Sequence, residues 1–165
     1  DRYDHKQAQR LPYVSSISLM QWARDEMKMP MDEHVSAAAA YGGYLDVVIS
    51  LRRQTPEPCP WDKFVCRAAA ENGHMKVLQW LRAQDPPCPW HNGLIRYAAQ
   101  KGHIHIIEWA RAQDPPCEWN WFVCSNAAAR GQLEVLKWLR AQDPPCPWGQ
   151  GVCSCAALNN YLDII

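Results

Sequence analysis

The chain of 165 residues has little phenylalanine (two residues), no net charge (17 basic side chains against 17 acidic) and no long apolar run. Charge balance argues against a general binder of nucleic acid or anionic membrane, because both require a net basic face to recruit phosphates. No run approaches the roughly 18 apolar residues of a membrane span, so no membrane insertion is expected. The opening residues, Asp1-Arg2-Tyr3-Asp4-His5-Lys6, lack an initiator methionine and the apolar stretch of a signal peptide. The expectation is a chain that starts inside a longer protein. A hydrophobic content of 48% is still enough for a core. Tryptophan, cysteine and proline are plentiful, at nine, eight and thirteen residues.

Their placement is periodic. Pro86-Pro87-Cys88-Pro89-Trp90 returns as Pro115-Pro116-Cys117-Glu118-Trp119 and as Pro144-Pro145-Cys146-Pro147-Trp148, with an earlier copy in Pro58-Cys59-Pro60-Trp61. Cys59, Cys88, Cys117 and Cys146 stand 29 positions apart, and so do Trp61, Trp90, Trp119 and Trp148. A second ladder holds Trp80, Trp109 and Trp138, each followed by Arg82, Arg111 and Arg140. The pairs Ala69-Ala70, Ala98-Ala99, Ala127-Ala128 and Ala156-Ala157 keep the same step, as do Gly73, Gly102 and Gly131. Upstream the period survives with one inserted residue in Thr55-Pro56-Glu57-Pro58. The chain therefore divides into a degenerate N-terminal repeat, 1–29, and an array at 30–59, 60–88, 89–117, 118–146 and a truncated 147–165.

Each repeat reads as two short helices. Asp62 is a candidate N-cap for the first, which runs through Ala68-Ala69-Ala70 to Glu71, and Gly73 supplies the left-handed turn that ends it. The second spans about Met75 to Gln84, with Val77, Leu78, Trp80 and Leu81 at helical spacing. Arg82 sits at the negative end of its dipole, and Asp85-Pro86-Pro87 stops it. No segment alternates with period two, so the fold class is all-α. A two-helix unit of 29 residues cannot enclose its own apolar face, whereas stacked copies can, which is the physics of an α-solenoid. Both tryptophan ladders are then expected to pack in the core between neighbouring repeats.

Ala69-Ala70-Glu71-Asn72-Gly73-His74-Met75-Lys76-Val77-Leu78 resembles the middle of an ankyrin repeat, and Ala98-Ala99-Gln100-Lys101-Gly102-His103 does so equally. Ala127-Ala128-Ala129-Arg130-Gly131-Gln132 loses only the histidine. The likeness covers about 30–165, with a weaker stretch from about 15 to 29. Two features depart from the family. Phe64-Val65-Cys66-Arg67 replaces the usual Thr-Pro-Leu-His that opens the first helix, and the period is 29 in place of 33. The shortfall lies between repeats, where Cys88-Pro89-Trp90 makes a short turn in place of the family's β-hairpin finger. The Cys-Pro-Trp form is similar to the divergent ankyrin arrays of large viruses, algae and oomycetes. The resemblance implies an ankyrin-like α-solenoid of helix-turn-helix repeats with short inter-repeat turns.

Catalytic and metal chemistry find little support. Equivalent cysteines on successive repeats, separated by the 8–10 Å of packed helices, exceed the roughly 7 Å limit for a disulfide. The only close pair, Cys153-x-Cys155, has no accompanying histidine for a zinc site. Buried, reduced thiols are expected, and with them the cytoplasm or another reducing compartment. Two apart at a helix start, His103 and His105 are expected to point to different sides. No phosphate loop, Ser-His-Asp set or paired carboxylates stand out. Neither an enzyme nor a cofactor is expected.

Recognition is expected where the repeat varies. By the ankyrin resemblance, the two residues before each glycine lie on the concave face: Glu71 and Asn72, Gln100 and Lys101, Ala129 and Arg130, Leu158 and Asn159. The loop-to-helix positions vary too, in Asp62-Lys63-Phe64, His91-Asn92-Gly93, Asn120-Trp121-Phe122 and Gly149-Gln150-Gly151. Trp121 belongs to neither ladder. Beside Phe122 it either forms an exposed hot-spot pair or fills a gap left by a smaller neighbour. Lys101 and Arg130 are expected to flank that pair, and Arg96 to join them in a modest basic patch if they are not simply solvated. The expected function is a protein–protein interaction module without catalysis, binding another protein, within a larger complex. The alternative is a structural subunit permanently docked in such an assembly; a thiol-metal protein or enzyme comes last.

Overall fold

The structure, a computed structural model, describes residues 2–54 and 57–164, with side chains from residue 5 onward. Thr55 and Pro56, in the stretch Thr55-Pro56-Glu57-Pro58 that carries the inserted residue, lie outside the described residues, as do Asp1 and Ile165. Among the described residues there are eleven α-helices and no strand. They fall into two compact units, 1–90 and 91–165.

The first unit contains α1 (Arg2–Arg10), a 3-10 turn (Leu11–Val14), α2 (Ile17–Asp25), α3 (Glu33–Tyr41), α4 (Leu45–Arg52), α5 (Lys63–Glu71) and α6 (Met75–Arg82). Helix α3 packs against both α1 and α5, while α4 packs against α2 and α6. The second unit contains α7 (Gly93–Gln100), α8 (Ile104–Arg111), α9 (Trp121–Ala129), α10 (Leu133–Arg140), α11 (Gly151–Leu158) and a 3-10 turn (Leu162–Ile164). Here α9 packs against α7 on one side and α11 on the other.

Capping explains where the first helix of each pair begins. The Asp32 carboxylate accepts from the amides of His34 and Val35 at 3.1 and 3.2 Å, Asp62 from Phe64 at 2.9 Å, and Asn120 from Phe122 at 3.1 Å. At the corresponding place His91 does the same with an imidazole: its Nδ1 accepts from the Gly93 amide at 2.8 Å. Asp62, His91 and Asn120, variable in sequence, are therefore spent on a shared structural task.

The same helices end in one way. Gly43, Gly73, Gly102 and Gly131 all have φ between 70° and 85°. The residue after each returns its amide to an alanine carbonyl five positions back, as in His74 to Ala69 at 2.9 Å. In the last copy Asn160 takes this place with φ 61°, and Tyr161 bonds Ala156 at 2.9 Å. Asparagine is among the few residues other than glycine that tolerate that conformation.

The core consists of small and aliphatic side chains. Ala37 through Ala40 and Ala68 through Ala70 are fully buried, and so are Val47, Leu78, Leu81, Ile106, Ile107 and Leu139. Small side chains where α3 meets α5 let the two backbones approach closely. The tryptophan ladders depart from the expected core packing. None of Trp61, Trp80, Trp90, Trp109, Trp119 or Trp138 is buried; all are half-buried, and Trp148 is exposed. In each unit they border the helices as an aromatic seam. Trp61 meets Trp80 edge to face at 6.3 Å, and Trp119 meets Trp138 at 6.4 Å. A wide, polar-edged indole suits such a border better than a gap filled by alanine.

The cysteine and arginine ladders tie each turn down. Cys59 Sγ donates to the Asp32 carbonyl at 3.3 Å, Cys88 to Asp62, Cys117 to His91 and Cys146 to Asn120, each of these at 3.6 Å. A thiol thus bonds the capping residue of the helix pair before it. The guanidinium of Arg82 donates to the Cys88 carbonyl at 2.8 Å and lies 4.1 Å from the Trp90 ring. Arg52, Arg111 and Arg140 repeat the arrangement on Cys59 and Trp61, Cys117 and Trp119, and Cys146 and Trp148.

Candidate protein-binding site

Trp121 and Phe122 open α9, and their position in the first turn turns both rings outward. They are 43% and 45% exposed, with ring centroids 3.7 Å apart and planes 26° from parallel. The support below them is local. Asn120 caps the helix, Ser125 Oγ donates to the Trp121 carbonyl at 3.2 Å, and Asn126 Nδ2 donates to the Phe122 carbonyl at 2.8 Å. The indole also rests on a neighbour without a side chain, since a methyl on Gly149 would lie 3.0 Å from the ring. Trp121 therefore both fills room beside a small neighbour and stays partly exposed: it rests on glycine backbone and stacks on Phe122.

The remaining expected site residues do not join this pair. Arg130 caps the C-terminus of α9, nine residues from Trp121, which is about 13 Å along a helix axis. It does not flank the aromatic pair, and neither does Lys101, the exposed C-cap of α7. Helix length alone accounts for the difference, because positions before the glycine and positions after the inter-repeat turn lie at opposite ends of one helix. Arg130 has its own partner. In the amide orientation that satisfies both groups, Gln100 Oε1 accepts from Arg130 Nε at 2.9 Å and Nη2 at 3.2 Å. Arg96, in the first half of α7, belongs to the other end as well, so no single basic patch forms with Lys101 and Arg130.

In the first unit, Asn72 is committed internally: its Nδ2 donates to the Tyr41 carbonyl at 2.9 Å, which His74 Nε2 also meets at 2.9 Å. Glu71, half-buried, borders a cavity of about 280 Å³ together with Gln7, Ala8, Leu11 and Tyr41. His74 covers Gly43 of the preceding repeat; a methyl on that glycine would lie 2.6 Å from the imidazole.

Cysteine chemistry is muted by burial. None of the eight cysteines is in a disulfide; six are buried, Cys155 is half-buried and Cys153 is exposed. Burial pushes the Cys59 thiol up to about 11. Hydrogen bonding to Cys124, reinforced by burial, pushes the Cys146 thiol well above the ordinary range, while the same bond lowers Cys124. Among the described residues no three His, Cys, Asp or Glu side chains converge as a metal site. No helix among them is long and apolar enough to cross a membrane.

Compared with known proteins, the chain matches no protein-family model and no curated protein.

Proposed function

We propose that the chain is an ankyrin-like α-solenoid acting as a protein-binding module, with no catalysis of its own and residence in a reducing compartment. The observation that carries this reading is the exposed, stacked pair of Trp121 and Phe122. Two large aromatic rings held rigidly at a helix start lose little entropy on binding and offer the kind of anchor that dominates protein interfaces. The packing of successive helix pairs within each unit, the left-handed glycine after each first helix and the all-helical content support the ankyrin-like description. The buried cysteines, none of them in a disulfide, support the compartment.

The test compares captures from one cell extract by immobilised wild-type chain, Trp121→Ala and Phe122→Ala, quantified by mass spectrometry. A protein retained by wild type and lost on both variants supports the reading. Identical captures on all three, with all three folded, overturn it.

A further inference from the structure

A cavity of about 330 Å³ opens beside the aromatic pair, within the second unit. It is lined by His91, Asn92, Gly93, Arg96, Asn120 and Phe122, so Phe122 is shared between the cavity and the exposed stack. Its volume lies at the lower end of the range for specific binding sites, about 300–1,000 Å³, which suits one or two side chains. The lining carries one permanent cation, Arg96, and no carboxylate. The guanidinium carbon of Arg96 lies 4.8 Å from the Tyr97 ring, and among the described residues no acidic side chain forms an ion pair with it.

From this geometry we infer that the cavity takes the carboxylate side chain of an acidic peptide segment, pairing with Arg96, while an apolar or aromatic neighbour of that Asp or Glu stacks on Phe122 and Trp121. Guanidinium and carboxylate match in two parallel hydrogen bonds, and partial burial in a cavity screens the pair less than an open surface would. The side chains of Asn120 and His91 are held in place by their capping bonds to the amides of Phe122 and Gly93, so the cavity wall is rigid before any ligand arrives. Glycine at 93, where the neighbouring repeats carry Phe64 and Phe122, leaves room for the His91 imidazole to form that part of the cavity wall, since a methyl there would lie 2.6 Å from its Nδ1. Gly151, the other glycine at this repeat position, faces Ser125 and Trp121 instead. The partner chemistry is an extended segment containing Asp or Glu beside Phe, Tyr, Trp or Leu.

The inference rests on the protein-binding reading and is tested so that the two can fail separately. The 165-residue chain is panned against a random heptapeptide library displayed on phage, and the enriched peptides are synthesised with a fluorescent label. Enrichment of Asp or Glu next to an aromatic or leucine is expected. Affinity should fall about tenfold or more for Arg96→Gln, and should fall similarly for peptides whose Asp or Glu is replaced by Asn or Gln. Arg96→Lys should keep the preference for the acid at reduced affinity, which covers the case in which Arg96→Gln loses its fold. Enriched peptides without acidic residues, or indifferent to Arg96→Gln and to the peptide's carboxylate, overturn the cavity assignment. If those same peptides lose affinity for Trp121→Ala, the protein-binding reading stands without it. A labelled twelve-residue oligothymidylate that binds the chain as tightly as the selected peptides, through the same Arg96, overturns the choice of an acidic peptide as occupant. Failure to enrich any peptide overturns it as well.

Discussion

The indole of Trp121 lies against the backbone of Gly149: a methyl built on Gly149 would come 3.0 Å from the ring Cε3 and 3.2 Å from the Trp121 Cβ. The aromatic pair at the start of α9 is thus seated on a glycine that precedes α11, and the seat sets the direction in which the rings face. In the other repeats the place of Gly149 holds Asp62, His91 or Asn120, each of which caps a helix. Gly149 provides room instead of a cap.

Gly149→Ala should therefore press on Trp121 and move it by a few tenths of an ångström. The near-UV circular dichroism of the stacked pair should change, while stability falls by less than about 1 kcal/mol, because the pair is nearly half exposed and can shift toward solvent. Gly149→Leu should displace the ring and weaken any partner that depends on Trp121. An unchanged near-UV spectrum in both variants would show that the ring does not rest on this glycine.

The ladder tryptophans and the aliphatic core can be ranked by truncation. Ile107 is fully buried in α8 and Trp109, two residues on, is half-buried. Ile107→Ala should cost about 2–5 kcal/mol, as expected for a buried aliphatic side chain. Trp109→Ala should cost less, about 1–2 kcal/mol, because part of its surface stays wet in the folded state and contributes no transfer energy. Urea unfolding of both variants, at equal m, gives the order directly. The reverse order would return the indole to the core.

Helix positions were legible in the sequence because the signals were local. Asp62 caps α5, Gly73 ends it with φ 78°, and Arg82 closes α6, all as the residue types require. The depth of a residue was not legible in the same way. Tryptophan recurring every 29 positions shows that each copy sees the same surroundings, and a repeated surface seam has that property as fully as a repeated core. The candidate site was half legible. Broken symmetry at Trp121 and Phe122 found an exposed pair, and the helix length read from the sequence already sets Arg130 about 13 Å along the axis from Trp121, a separation that the expected flanking role overlooked. Sequence position did not identify His91 and Asn120 as caps, since each meets with a different side chain the need that Asp62 meets with a carboxylate.

The arginine ladder should behave as a structural clamp. Arg82 donates to the Cys88 carbonyl at 2.8 Å and covers Trp90 at 4.1 Å. A charged hydrogen bond contributes about 1.5–3 kcal/mol and a cation–π contact about 0.5–1 kcal/mol, without simple additivity. Arg82→Ala should then lower stability by about 2 kcal/mol. Arg82→Lys should recover less than half of that, because a compact ammonium cannot lie flat on the indole and reach the carbonyl at once. Thermal or urea unfolding decides it, and full rescue by lysine would reduce the clamp to a simple point charge.

Alkaline pH should expose the buried thiols. Cys59 Sγ is buried, donates to the Asp32 carbonyl at 3.3 Å and lies 3.2 Å from the Ser36 hydroxyl. Burial raises its pKa from the ordinary 9.0 to about 11. Below pH 9 the folded and unfolded chains both hold this proton, so its contribution to stability is fully present. Between about pH 9 and 11 the unfolded chain releases the proton while the folded chain keeps it, and stability falls as pH rises. Every tenfold difference in acidity between the two states corresponds to about 1.4 kcal/mol, giving a loss of about 2–3 kcal/mol across the window. Lysine and tyrosine titrate in the same range, so the measurement is the difference between wild type and Cys59→Ala. The variant should start less stable at pH 7, having lost the thiol's hydrogen bond, and should decline less steeply above about pH 9. Parallel stability curves from about pH 8 to 11 would mean that the Cys59 thiol ionises as easily in the folded chain as in the unfolded one. In the same preparation at pH 7, a thiol probe should label exposed Cys153 first and the six buried cysteines only after denaturation, since a thiolate must reach solvent to react.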